Sequence, residues 1–71
     1  DAEVLEFVVK EGAQVTRTLI REIRMPRGAI IGGIIRGDES HIAVGNFQIM
    51  EGDKVVVFAL PEAIGKIQKL F

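Results

Sequence analysis

The stretch from Gly28 to Val44 reads GAIIGGIIRGDESHIAV. Within it, Ala29–Arg36 is rich in β-branched residues and reads as a strand. A strand with one wet face alternates apolar and polar residues. Here positions of both parities are apolar, so something must cover both faces. The Gly37-Asp38 pair suits a two-residue turn with glycine first, so Ser40–Val44 is expected to return as an antiparallel partner. Gly32 and Gly33 mark a close backbone approach, expected across an interface rather than at a phosphate loop. Which of Ile34 and Ile35 faces the chain's own helices stays open, because a one-residue slip inverts every side chain.

Working outward, EVLEFVV (Glu3–Val9) reads as a strand bounded by KEGAQ. TRTLIREI (Thr16–Ile23) reads as a short helix with Thr16 as its N-cap. Helical spacing puts Leu19, Ile20 and Ile23 on one side and Arg17, Arg21 and Arg24 on the other. Pro26 ends that helix. KVVVFAL (Lys54–Leu60) is apolar at both parities and reads as a central strand. Pro61 suits the first turn of a closing helix, in which Ile64, Ile67 and Phe71 form the core stripe. The expected order is β-α-β-β-β-α: an α+β, two-layer domain with a mixed or antiparallel sheet and both helices on one face. Two short helices cover one face only. The apolar second face calls for a second copy of the chain or a neighbouring domain.

Composition agrees. The 71 residues make one domain, expected to be cut from a longer protein because strand-like sequence begins almost at Asp1. A core of this size rarely supplies more than roughly 3–5 kcal/mol without staples. There is no cysteine, so no disulfide or thiolate metal site adds to it. Yet 48% of the residues are hydrophobic before the eight glycines are added, against about 45–50% with glycine included in an ordinary globular chain. The surplus is best buried against another chain. A formal net charge of −1 lacks the footprint of a nucleic-acid binder. No apolar run approaches the ~18 residues of a membrane span, so no membrane insertion is expected.

The inventory for catalysis is poor. With one histidine, one serine, no cysteine and no tyrosine, neither a nucleophile–base pair nor a recognisable metal triad can be assembled, and an enzyme is not expected. Arg17, Arg21 and Arg24, with Arg27 nearby, are either a solvated face or a surface for an anion or an acidic partner. Asp38, Glu39, Glu51 and Asp53 lie in two turns. They could offer oxygen to a hard cation, although acidic residues in turns are ordinary, and no metal is assigned. Arg36–Asp38 spells RGD, here a coincidence of the hairpin turn.

The ordered features Pro26, Gly28, Ile34-Ile35-Arg36-Gly37, Gly52-Asp53 and VVVFAL resemble those of the C-terminal regulatory domain (TrkA-C, or RCK-C) of Trk- and Ktr-type potassium-uptake proteins. The resemblance covers essentially residues 1–71. It implies a dimerising fold in a cytoplasmic gating ring, peripheral to the inner face of the membrane and beneath a potassium-translocating subunit. In that family NAD(H) or ATP belongs to a separate N-terminal domain. Gly28, Gly32 and Gly33 do not make its G-x-G-x-x-G signature, so no such cofactor is expected on this chain.

Some relatives hold cyclic di-AMP in the groove between two such domains. The corresponding positions here are Ile35, Arg36, His41 and Ile42: a guanidinium for phosphate, an imidazole, and isoleucines to sandwich a base. Alternatively, Arg36 and His41 are simply polar ends of an interface strand. Ile34, Gly32 and Gly33 are expected at the dimer contact. The function implied is a ligand-sensing, dimerising domain that controls potassium transport. The alternatives are a purely structural assembly domain, or the same module attached to an antiporter or anion permease.

Overall fold

Val55, Val57 and Ala59 alternate along Lys54–Ala59 (β4) and are all buried, so one side of that strand meets the core. A computed structural model describes residues 1–71. Glu3–Val8 (β1) and Ala29–Arg36 (β2) flank β4, and Glu39–His41 (β3) lies outside β2, giving the order β1-β4-β2-β3. Every pairing is antiparallel, so of the two arrangements expected for the sheet the antiparallel one forms. Residues 43–53, the β1–β2 connector and the C-terminal segment cover one face. Ile34, Ile49, Val55, Val57 and Ile67 sit at the centre of this core, each at most 1% exposed.

β2 has the expected boundaries, and a bulge at Gly32 settles its parity. Ile31 opposes Val57 and Gly33 opposes Val56, so Gly32 is the additional residue. An extra residue reverses the alternation beyond it. Ile31 and Ile34, three apart, therefore both enter the core, while Ile30 and Ile35 lie on the outer face with Val56 and Phe58. The ring of Phe58 lies directly over Gly32, where a Cβ would collide with its Cδ2 and Cε2 atoms. Close packing of a ring on backbone explains that glycine.

At the end of β2, Gly37 has φ +62° and no other residue in the turn has positive φ, the φ signs of a II′ turn closing Arg36 onto Glu39. The return strand is shorter than the expected Ser40–Val44. It stops at His41, leaving Ile42 and Val44 exposed.

The expected helix over Thr16–Ile23 does not form. Two 3-10 turns, Gln14–Thr16 and Ile20–Glu22, replace it. An α-helix needs the Ile20 N–H to meet the Thr16 carbonyl. Instead Ile20 donates to Phe47 O and Arg21 to Gly45 O, while the Gln48 side-chain amide donates to the Thr16 and Thr18 carbonyls at 3.0 and 3.1 Å. Short helices in isolation are marginal, so a loop that claims their backbone groups wins. Nor is Thr16 an N-cap: its hydroxyl donates backward to Ala13 O at 2.7 Å.

At the other end, Pro61–Ala63 forms a 3-10 turn leading into the single α-helix, Ile64–Gln68 (α1). The covering layer thus holds one short helix rather than two. The expected stripe survives, with Ile67 and Phe71 buried and the Phe71 ring stacked on Phe7 at 4.5 Å between centroids.

Candidate functional site

The β2–β3 hairpin carries the residues singled out by sequence, and strand parity divides them between two faces. Ile35 opposes Ser40 and Lys54 on the outer face. Arg36 and His41 project to the covered face, where His41 opposes Ile34. Ile42 lies one residue beyond β3 and is 78% exposed. Of the three expected contact residues, Gly33 lies on the outer face opposite Val56, and Gly32 lies beneath the Phe58 ring on that face. Ile34 does not: it is 1% exposed in the chain's own core, so Ile35 takes the outer position.

Arg36 is already engaged. Its Nε and Nη2 donate to Asp53 Oδ1 and Oδ2 at 2.9 and 2.8 Å, and Nη2 also donates to Gln48 O at 2.9 Å. The Met50 N–H adds a bond to Asp53 Oδ2 at 2.9 Å. Asp53 is 2% exposed and Arg36 is 36% exposed at the side chain. Bidentate contact with the guanidinium holds the Asp53 carboxyl below the usual carboxylate range, against the opposing effect of burial; the same hydrogen bonding raises the Arg36 pKa. The guanidinium also lies over the Phe47 ring, 4.9 Å from its centroid. Its Nη1 donors make no hydrogen bond within the chain, so Arg36 can still contact an anion while anchored.

His41 tilts against Phe47 at 5.1 Å and its Nε2 lies 3.2 Å from Glu39 Oε1. Beside the Arg36–Asp53 pair opens a cleft of about 430 Å³, lined by Arg36, Gly37, Met50, Glu51, Gly52 and Asp53. Ile35, His41 and Ile42 are not in it. The acidic residues gather into no group of three His, Asp or Glu suited to a cation, and the carboxylate of Asp53 is committed to Arg36.

Gln48 carries no expectation from the sequence, and Asp53, expected in a turn, carries none as the partner of Arg36. Asp53 follows Gly52 in a turn and Arg36 precedes Gly37 in another. Both pairs are among the features singled out above, and the fold joins them across 17 positions. Gln48, between apolar Phe47 and Ile49, carries no comparable signal.

The apolar surplus lies on the outer sheet face. Val4, Val8, Ile30 and Phe58 are 66, 63, 64 and 43% exposed, with Val56 and Ile35 half-buried beside them. Glu6 and Lys54 interrupt this surface. No helix is long and apolar enough to cross a membrane.

A family model described as the TrkA-C domain matches residues 4–71. The chain is 33% identical over 70 residues to Trk system potassium uptake protein TrkA homolog 1 of Methanosarcina mazei, covering 99% of this chain and 16% of that protein. It is 38% identical over 68 residues to the TrkA homolog of Archaeoglobus fulgidus, covering 96% of this chain and 15% of that protein. With Trk system potassium uptake protein TrkA of Haemophilus influenzae it shares 34% identity over 74 residues, again 99% and 16%. The chain thus spans about one-sixth of these relatives' length. A solved structure titled "Structure of RCK domain with cda" has the same fold, with a TM-score of 0.75 at 23% identity, covering 96% of this chain and 97% of that one.

Proposed function

The chain belongs to the TrkA-C domain family, and from that membership together with its bare apolar sheet face we propose that it is a dimerising regulatory domain of a potassium-uptake protein. The observation that carries this reading is the outer face itself: four large hydrophobic side chains, Val4, Val8, Ile30 and Phe58, are left open on the central and first strands. An exposed apolar surface rimmed by charged residues, here Glu6 and Lys54, marks an interaction site. A second copy is the proposed occupant, because a two-fold contact places the same patch on both sides and so covers both apolar faces at once.

In the full-length protein the pair of domains would lie on the cytoplasmic side and act on a membrane potassium-translocating subunit. The mechanism is population shift: a ligand that binds one arrangement of the two copies more tightly biases what is attached to them, by no more than its differential affinity.

The proposed ligand is a small anion such as cyclic di-AMP, held across the open β3 edge of the hairpin: by the free Nη1 edge of Arg36 and by His41 from the covered face, by Ile35 from the outer face, and by Ile42 just beyond the strand. A specific observation favours a purely structural assembly domain instead: Arg36 spends two of its nitrogens on Asp53 and Gln48. Calorimetry with cyclic di-AMP separates the two readings. Sensing predicts saturable heat with the wild type that falls at least about tenfold in affinity in Ile42→Asp. Ile42 is the right probe because it is exposed and its loss leaves the core intact. A stable dimer that gives no heat would support the structural reading and overturn sensing.

Gly32→Ala tests the contact surface from inside. In the separated chain the half-exposed Phe58 ring can turn away from a new Cβ, at a cost of about 1 kcal/mol. In a dimer the ring is hemmed in by the partner. The expected result is a dimer dissociation constant raised about tenfold or more with little change in chain stability; equal dimer affinity would show that Phe58 is not at the contact.

A further inference from the structure

On the covered side of the sheet, between the β1–β2 connector and the end of the chain, lies a cleft of about 330 Å³ that shares no residue with the hairpin site. Val15, Ile23 and Leu70 form its apolar part. Arg17 and Arg24 stand at it with Gln14 and Thr18, while Arg21 is turned away, its Cβ packed toward Gly45. The abandoned helix is the cause: two 3-10 turns bring Arg17 and Arg24 to one cleft and exclude the arginine between them.

Neither Arg17 nor Arg24 takes part in an ion pair. Arg17 donates only to Gly12 O, at 3.3 Å. Glu22, the one carboxylate present, is held by the Leu19 N–H, which donates to its Oε1 at 3.1 Å. The residues that line the cleft therefore carry more donors than its one carboxylate can use: the Arg17 and Arg24 guanidiniums, the Thr18 hydroxyl and the Gln14 amide. A carboxylate offers one edge, which a single guanidinium satisfies bidentately. A phosphate ester offers three terminal oxygens and can engage both arginines. The volume, at the low end of ligand clefts of roughly 300–1,000 Å³, together with the apolar wall, calls for an organic group on the phosphate.

We propose that this cleft binds a small organic phosphate, its phosphate bridging Arg17 and Arg24 and its apolar body against Val15, Ile23 and Leu70. Val15 and Leu70 both belong to the core layer, so the site lies away from the outer face. Its occupancy and the dimer are separate properties, and either can fail alone.

The test is an amide-resolved NMR titration of the chain with phenyl phosphate, inorganic phosphate, benzoate and phenol. Phenyl phosphate is expected to move the Gln14, Thr18, Ile23 and Leu70 signals saturably. Inorganic phosphate and benzoate should bind at least about tenfold more weakly, and phenol should not move these signals. Arg17→Gln and Arg24→Gln should each weaken phenyl phosphate about tenfold, while Arg21→Gln and Arg27→Gln, which remove the same charge, leave it unchanged. All four arginines are exposed, so each variant should keep the dispersed spectrum of the folded chain. No saturable shift would overturn the proposal. So would an equal loss in Arg21→Gln, binding of benzoate as tight as that of phenyl phosphate, or shifts centred on Arg36 and Gly52.

Discussion

Ile34→Asp is expected to leave no cooperatively folded population, whereas Ile35→Asp, one residue along, stays folded. Ile34 is 1% exposed and packs with Val55 and His41 across the covered face of the sheet. A carboxylate there would face Val55 and the rest of the apolar core, and the one polar group opposite, the His41 ring, is already turned to Glu39; burying a charge so poorly paired costs more than the roughly 3–5 kcal/mol a core of this size supplies. Ile35 lies on the other side of the same strand and is only half-buried. An Asp there reaches water in the separated chain and costs about 1–2 kcal/mol. It would, however, place charge in the contact between copies. Circular dichroism with denaturant titration checks both. Folded Ile34→Asp beside unfolded Ile35→Asp would mean that the bulge at Gly32, and with it the assignment of faces, is wrong.

Arg36→Ala is expected to cost about 3 kcal/mol, at the low end of the 3–5 kcal/mol for breaking a buried pair because the guanidinium is about one-third exposed. The damage lies in what remains: Asp53, 2% exposed, keeps only the Met50 N–H. Asp53→Asn should cost less, about 1–2 kcal/mol, since Arg36 can turn to solvent and the new amide oxygen still accepts from Met50. Because the folded-state pKa of Asp53 is depressed, first of all by its bonds from Arg36, the pair stabilises the fold at pH values above the ordinary aspartate pKa. That contribution falls away as the pH drops through the depressed value. Asp53→Asn is therefore expected to show a flatter loss of stability in acid than the wild type. A loss of the same steepness in both would show that the pair does not carry the acid sensitivity.

These two variants also separate what the sequence makes visible from what it hides. Ala29–Arg36 is legible because β-branched residues crowd a short run, and the Gly37-Asp38 turn because one glycine supplies the positive φ the hairpin needs. The bare outer face is legible in kind, from apolar residues of both parities in β2 and β4. Its membership is not, because the bulge at Gly32 moves Ile34 inward and Ile35 outward. The Thr16–Ile23 segment has helical periodicity but no helix. The backbone groups it needed are taken by Gly45, Phe47 and Gln48, more than twenty residues away, and no local pattern records that competition. Arg36 could be singled out as a residue for an anion. That its first anion is the chain's own Asp53 required the fold.

The central claim is that a second copy covers the outer face of the sheet, and sedimentation at micromolar concentration tests it most directly. The chain is predicted to run at twice its 7.8 kDa mass, and Ile30→Asp, altered at an exposed outer position, to run as a folded single chain. A wild-type chain that sediments at 7.8 kDa, or an Ile30→Asp dimer as tight as the wild type, would contradict it.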